Sequence, residues 1–249
     1  MKISVITISY NAAETIEDTI QSVLSQTYQD IEYILIDGGS RDETMDIVEK
    51  YRDRIDVIIS ESDDGIYDAM NKGIKYATGD VIAILNADDT FTSKHVIETA
   101  AKRLVELNCD TLYGDLVYVK RENDNKVVRK WISGKFRRDA FLRGWMPPHP
   151  TFFVKREVYL KYGAFNTRLK ISADYEFMLR ILFKENVSTV YLPETLVKMK
   201  AGGQSNNSLK NRLRANLEDR LSWELNGLRP LAFTLWRKPF RKIGQFILR

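Results

Sequence analysis

One cysteine, two histidines and six prolines are spread over 249 residues, and each scarcity closes off some chemistry. With Cys109 as the only thiol an intramolecular disulfide is impossible, and a zinc site built from cysteine and histidine has no ligand cluster to draw on. Cys109 reads as a small buried apolar residue and His95 as a surface residue. No apolar run approaches the ~20 residues that span a bilayer. Met1-Lys2-Ile3-Ser4-Val5-Ile6 enters a strand pattern directly, with no leader-type hydrophobic segment or cleavage site, so the expectation is a cytoplasmic protein. Gly-x-Gly-x-x-Gly does not follow the first strand, and Gly-x-x-x-x-Gly-Lys-Ser/Thr occurs nowhere. A dinucleotide dehydrogenase or a P-loop ATPase is thereby disfavoured.

What is present suits a sizeable core: 44% of residues are hydrophobic, enough for one large or two closely fused globular units. Charge is divided unevenly. Residues 1–118 hold 10 Lys or Arg against 23 Asp or Glu (net −13), and residues 119–249 hold 28 against 11 (net +17). The acidic first part is a poor nucleic-acid surface but suits metal. The basic second part suits phosphate groups or an anionic membrane.

Over the first hundred residues the pattern alternates. Strands are expected at Ile3 to Ile8, Tyr33 to Ile36, Val57 to Ser60 and Val81 to Leu85. Helices are expected at Glu14 to Leu24, Asp42 to Tyr51 and Ile66 to Ala77. This rhythm predicts a parallel, doubly wound α/β sheet, in which ligands bind at the carboxyl ends of the strands. Polar residues collect at those ends: Ser9-Tyr10-Asn11, Asp37-Gly38-Gly39-Ser40, Asp63-Asp64-Gly65 and Asn86-Ala87-Asp88-Asp89. Each alone is also ordinary turn chemistry, and Asp88-Asp89 alone also reads as a helix cap. Together they describe a pocket with an aromatic ring for stacking, acceptors for base or ribose hydroxyls, and acids for a divalent cation.

Several segments carry a resemblance. Val5-Ile6-Thr7-Ile8-Ser9-Tyr10-Asn11, Gln21 to Tyr28, Ile36-Asp37-Gly38-Gly39-Ser40-Arg41-Asp42-Glu43-Thr44, Asn71-Lys72-Gly73-Ile74 and Ala77-Thr78-Gly79-Asp80 resemble family 2 glycosyltransferases in order and spacing, from residue 3 to about residue 200. The resemblance implies a GT-A fold: a Rossmann-like, mostly parallel nucleotide-binding sheet fused to a smaller acceptor-binding part. It also implies a nucleotide-sugar donor, taken as a UDP-sugar, and inversion at the anomeric carbon. Carried over by position, Asp88 matches the acid on the donor ribose and Asp89 the acid that binds Mn²⁺ or Mg²⁺. Tyr10 matches the aromatic beside the base, with Thr7 and Asn11 along that edge. Asp37 matches the first of two acids after the second strand, and Asn71 falls on the donor side. Gly38 stands where many relatives have a second acid that reads the base, and Met70 where many have Arg. The run Asp63 to Gly73 resembles a subgroup that builds bacterial O-antigen, capsule or exopolysaccharide, with Asp64 as the replacement for the missing contact.

In the second half, Lys170-Ile171-Ser172-Ala173-Asp174-Tyr175-Glu176-Phe177 begins a helix. Asp174 reads either as a cap or as the general base, and the resemblance favours the base; Glu176 is the fallback. In Gly144 to Thr151, Trp145 and His149 form either an acceptor-sugar platform or a turn made rigid by three prolines. The basic residues between Asp115 and Arg143 would border a pyrophosphate-bearing acceptor. Gly202 to Ser208 reads as a mobile loop over the donor, with Lys210, Arg212 or Arg214 in reach of the diphosphate. After a helical pattern from Leu209 to Leu225, Leu231 to Arg249 is basic and amphipathic, and reads either as an anionic-membrane surface helix or as a packing helix. The expected division is 1–118 for the donor, 119–205 for acceptor and base, and 206–249 as a helical C-terminal extension. The reading is an inverting, metal-dependent transferase acting on a polyprenyl-diphosphate-linked glycan at the inner face of the cytoplasmic membrane, with no nucleic-acid partner. A nucleotidyltransferase and an inactive nucleotide-sugar-binding scaffold are the alternatives.

Overall fold

The computed structural model describes residues 1–202, 209–231 and 234. The apolar runs form β1 (Ile3–Ser9), β2 (Ile31–Asp37), β3 (Val57–Ser60) and β4 (Val81–Asn86), paired in parallel in the order β3-β2-β1-β4. Every residue of β1 is buried, as expected for a strand covered on both faces. Alternate residues serve the two faces. Ile3 and Val5 pack with Ile16, Ile20 and Val23 of α1 (Ile16–Leu24), whereas Ile6 and Ile8 pack with Tyr67 and Met70 of α3 (Ile66–Tyr76). Helix α2 (Thr44–Glu49) lies between them in sequence and is shorter than expected, because a 3-10 turn at Arg52–Arg54 replaces its end. Gly73 explains the close seat of α3: a Cβ there would collide with the Ile6 side chain.

Beyond β4 come β5 (Asp89–Phe91), α4 (Val96–Glu106), β6 (Thr111–Lys120) and β7 (Asn123–Trp131). They are followed by β8 (Phe153–Lys155), α5 (Arg156–Tyr162), α6 (Ala173–Met178), β9 (Thr189–Lys200) and α7 (Leu209–Leu225). The sheet continues from β4 through β8, β6 and β9 to β5, with β7 forming a hairpin on β6. Strand β8 runs antiparallel to both β4 and β6, while β6 and β9 are parallel. The boundary expected at residue 118 therefore falls inside β6, and one sheet passes through it without a break. Helix α6 runs on into a π-helical turn at Leu179–Lys184.

The segment expected to be an extension begins inside the core. Trp223 of α7 is fully buried, edge-on to Phe183 at 5.2 Å between ring centres, and its Nε1 donates to the Tyr175 hydroxyl at 2.9 Å. Asn226 donates to Glu176 Oε1 at 2.9 Å. The amphipathic reading of Leu231 to Arg249 falls outside the described residues except at Leu231 and Thr234, and most of the Gly202 to Ser208 loop does too. Among the described residues no helix is long and apolar enough to cross a membrane.

Candidate active site

The carboxyl ends of β1 to β4 and the start of α3 surround a cleft of about 800 Å³, large enough for a nucleotide. Tyr10 and Asn11 line it after β1, Gly38 after β2, Asp63 after β3, and Asn86, Ala87 and Asp88 after β4; Arg121, from the β6–β7 turn, closes one side. Tyr10 is 57% exposed, so its ring is offered to a planar ligand. Asn11 takes a left-handed backbone (φ 47°), which Asn tolerates, and its Oδ1 accepts the Arg41 N–H at 2.9 Å.

Asp37 underlies this wall rather than facing the cleft. It is fully buried, and its carboxylate accepts from the Ser9, Ser40 and Ser60 hydroxyls at 3.0, 2.5 and 2.7 Å and from the Gly39 and Ser40 N–H groups at 3.0 and 2.9 Å. Its hydrogen-bonding capacity goes into shaping the loop. Thr7 is likewise buried, accepting from the Tyr33 hydroxyl at 3.1 Å, and does not line the cleft.

At Gly38 the chain lacks a side chain because another residue fills the space. A Cβ on Gly38 would lie 2.5 Å from Asp63 Oδ2 and 3.4 Å from the Tyr10 ring. Asp63 Oδ1 accepts the Gly65 N–H at 2.8 Å, leaving Oδ2 beside the tyrosine without a partner among the described residues. Asp64, the residue chosen from sequence, does not line the cleft; its carbonyl accepts from Lys170 Nζ at 2.9 Å.

The acid pair is split by strand geometry. Asp88 lines the cleft, and burial pushes its carboxyl above the usual range while Arg121 and Lys200 pull it down. Asp89 starts β5, is fully buried, and is pushed well up by burial and by Asp88. Asn86 Nδ2 donates to Asp89 Oδ2 at 2.9 Å, but Asp89 Oδ1 and Asn86 Oδ1 are buried acceptors with no partner among the described residues. Unmet oxygen acceptors behind a cleft-facing carboxylate make a hard-donor set that fits Mg²⁺ or Mn²⁺.

Asp174 stands in the first turn of α6, half-buried, with Oδ1 3.0 Å from the Tyr67 hydroxyl and Oδ2 without a hydrogen-bond partner among the described residues. Burial and the adjacent Asp174 raise the Tyr67 phenol well above its ordinary value, so it stays protonated. Glu176 is buried and engaged, forked onto Arg180 with both bonds at 3.0 Å, which removes it as a fallback base. Asn71 is engaged too, bonding the backbone of Phe165 through Nδ2 (2.9 Å) and Oδ1 (3.0 Å) rather than lining the cleft.

Trp145 does not offer a ring face to a sugar. It is 6% exposed, packs against Tyr113, Phe136 and Phe141, and donates through Nε1 to the Ser133 carbonyl at 2.9 Å. The rigid-turn alternative fits its surroundings. His149 has a buried Nε2 with no partner among the described residues and lines a water-sized cavity of about 10 Å³ together with Ile84, Phe152 and Phe165 among others. Burial lowers its pKa and Asp174 partly restores it. Arg214 is committed to Glu218, with Nε to Oε1 at 2.8 Å, whereas the Lys210 and Arg212 side chains lie outside the described residues. Asp63 stood among the polar strand-end residues but Asp64 was chosen over it, and Arg121 was placed in the basic stretch bordering the acceptor rather than at the donor cleft. Tyr67 and Glu218 were missed, and only Tyr67 had a local signal, its place in the Asp63 to Gly73 run.

A mixed sheet whose first four strands are parallel and covered on both faces, a nucleotide-sized cleft at their ends and an acid pair there with Asp88 on the rim define a GT-A fold. The chain belongs to glycosyl transferase family 2, whose family model matches residues 4–163. A PGL/p-HBAD biosynthesis glycosyltransferase of Mycobacterium bovis (strain BCG / Pasteur 1173P2) is 30% identical over 208 residues, covering 82% of this chain and 78% of the relative. A putative teichuronic acid biosynthesis glycosyltransferase, TuaG of Bacillus subtilis (strain 168), is 39% identical over 110 residues, 43% of each chain. Among solved structures, S. aureus TarS 1-349 in complex with UDP-GlcNAc aligns with a TM-score of 0.72 at 20% identity, over 91% of this chain and 65% of that one. A mannosyltransferase from Pyrobaculum calidifontis in complex with GDP-Man and Mn²⁺ aligns at 0.66 and 18% identity, over 99% of this chain and 70% of that one.

Proposed function

We propose that this glycosyltransferase moves a sugar, with inversion, from a UDP-sugar to a hydroxyl of a glycan carried on a polyprenyl diphosphate, in the synthesis of a surface polysaccharide. The observation that carries this reading is the set of unmet buried acceptors, Asn86 Oδ1 and Asp89 Oδ1, behind Asp88 at the rim of a nucleotide-sized cleft. Relatives named for teichuronic acid and PGL synthesis support the surface-glycan setting.

In this mechanism the Tyr10 ring stacks on the base and Asp63 Oδ2 accepts a base N–H. Asp88 faces the diphosphate end, with Asp89 buried behind it. Asp88 and the oxygens behind it thus share the metal side, whereas the division expected from sequence put Asp88 on the ribose and Asp89 alone on the metal. A bound Mn²⁺ or Mg²⁺ on these oxygens would neutralise the charge of the departing nucleoside diphosphate. Asp174 takes the proton of the acceptor hydroxyl. The hydroxyl oxygen bonds to the anomeric carbon from the face opposite the diphosphate, and the bond to the diphosphate oxygen breaks with its electron pair leaving on that oxygen. The basic C-terminal stretch would hold the enzyme at the inner membrane face, as its sequence suggests.

The test is a thermal-shift screen of UDP-, GDP- and CDP-sugars with and without Mn²⁺, since a ligand of the native state raises the melting point. Metal-dependent stabilisation by a UDP-sugar is expected, lost in Asp88→Asn, with turnover but not donor binding lost in Asp174→Asn. Loss in Asp89→Asn alone would restore the division expected from sequence. Unchanged turnover in Asp174→Asn removes it as the base, and binding without any turnover identifies a scaffold.

A further inference from the structure

We infer that Tyr67 is the positioning residue of the base: its hydroxyl orients Asp174 from a helix that belongs to the donor side. This rests on the reading of Asp174 as the base. Residues 170–172 lead into α6, and a carboxylate in the first turn of a short helix still has rotamers to choose from unless neighbours fix it. The structure fixes it from two sides. From above, Glu218 of α7, 6% exposed, accepts the backbone N–H groups of Lys170, Ile171 and Ser172 at 3.1, 2.7 and 3.0 Å. From below, the Tyr67 hydroxyl lies 2.8 Å from the Ile171 carbonyl and 3.0 Å from Asp174 Oδ1.

Glu218 holds the loop's backbone, and Tyr67 alone, among these contacts, reaches the carboxylate. The phenol has one proton to share between two acceptors, so it ties the orientation of the acid to the loop that precedes it. Tyr67 is 7% exposed and its ring rests on Phe165 at 5.7 Å between centres, so the hydroxyl cannot swing away. The arrangement leaves Asp174 Oδ2 for the acceptor hydroxyl. The same helical turn lines the donor cleft through Gly65 and Ile66, so one element registers the base against the donor. The removal of this bond should misorient the base without touching the donor pocket.

The test uses the full chain, with UDP release from UDP-glucose, UDP-galactose and UDP-N-acetylglucosamine and water as acceptor. Tyr67→Phe keeps the ring and is expected to lower kcat about 10- to 100-fold, the usual effect of losing a hydrogen bond to a charged group, with donor KM and melting temperature unchanged. Added to Asp174→Asn it should cost nothing further, because it acts through that residue. Replacement of Tyr67 by 4-aminophenylalanine, which keeps an N–H donor there, should restore most of the rate. An undiminished kcat in Tyr67→Phe, a loss that multiplies with Asp174→Asn, or a loss confined to donor KM would overturn the inference. If Tyr67→Phe does not fold, the aminophenylalanine variant decides: folded and active supports the inference, folded and inactive overturns it. Wild-type turnover in Asp174→Asn, or none in the unsubstituted chain, removes the base reading itself and this inference with it.

Discussion

Asp63 and Asp64 are neighbours in sequence yet face different surroundings, and the same is true of Asp88 and Asp89. In each pair one residue lines the cleft and the other is turned away from it. The Gly38 geometry gives this a consequence that binding can measure. Asp63 Oδ2 fills the space a Gly38 side chain would need, and with Oδ1 held by Gly65 a single oxygen is left for a base. One acceptor matches the lone ring N–H of uracil better than the paired donors of guanine. Asp63→Ala is therefore expected to weaken UDP binding about tenfold or more by calorimetry, with little change for CDP. Gly38→Asp alone should bind poorly, since two carboxylates would collide, and the double variant Gly38→Asp, Asp63→Ala should recover much of the loss. An undisturbed Asp63→Ala would remove the residue from base reading. The strand ends were legible because apolar runs stop where polar residues begin. Which member of each pair turns inward was not, since that depends on strand twist and on neighbours far away in sequence. Asp37, Asn71 and Trp145 show the same limit: the residue types suit ligand contact, but bonds from Ser60, Phe165 and Ser133 had already claimed them.

At the scale of elements, β2 carries a polar cluster at each end. Asp37 organises the cleft end, and Glu32, near the opposite end, organises the base of the sheet. Glu32 accepts from the Ser4 and Thr78 hydroxyls at 2.5 Å each, from the Thr78 N–H at 2.7 Å and from Lys2 Nζ at 2.9 Å. Burial alone would raise its carboxyl, but these donors outweigh burial and bring the pKa down to about 2. A carboxyl whose pKa is lowered on folding stabilises above its unfolded value and loses that contribution as pH falls through the folded value. Stability should therefore decline between about pH 5 and pH 2, by about 3 kcal/mol from this residue. Denaturant melts of Glu32→Gln should be weaker at pH 7 by a similar amount and flatter across that window. Equal pH slopes in the two proteins would exclude Glu32 as the cause. Helix α3 is the other element of consequence, since Tyr67 and Asn71, with the Asp64 carbonyl just before the helix, all bond to residues 165–174.

Across the whole molecule, α7 is packed into the body of the fold through Trp223. Charge and periodicity had grouped residues 206–249 as an extension, because α7 has little one-sided hydrophobicity and its leucines look outward; Leu213 and Leu217 are 67% and 70% exposed. Its inner contacts are polar or single: Glu218 on the loop before α6, and Trp223 and, just past the helix, Asn226 against α6 and the turn beyond it. Such an anchor leaves no periodic signature. Trp223→Ala is expected to cost about 3 to 5 kcal/mol in urea melts, as buried Trp truncations do. A chain ending at 205 should lose its cooperative transition, whereas one ending at 234 should keep it; a stable 205-residue fragment would show α7 to be dispensable. The bonds from α3 to residues 165–174 also bear on how such enzymes diversify. A new acceptor half cannot be grafted by cutting between the halves in sequence, because one helix of the donor half carries the hydroxyl and the amide that its partner loop was shaped around. Recombination between relatives would succeed only where α3 and residues 165–174 are inherited together, as a matched lock and key within one chain.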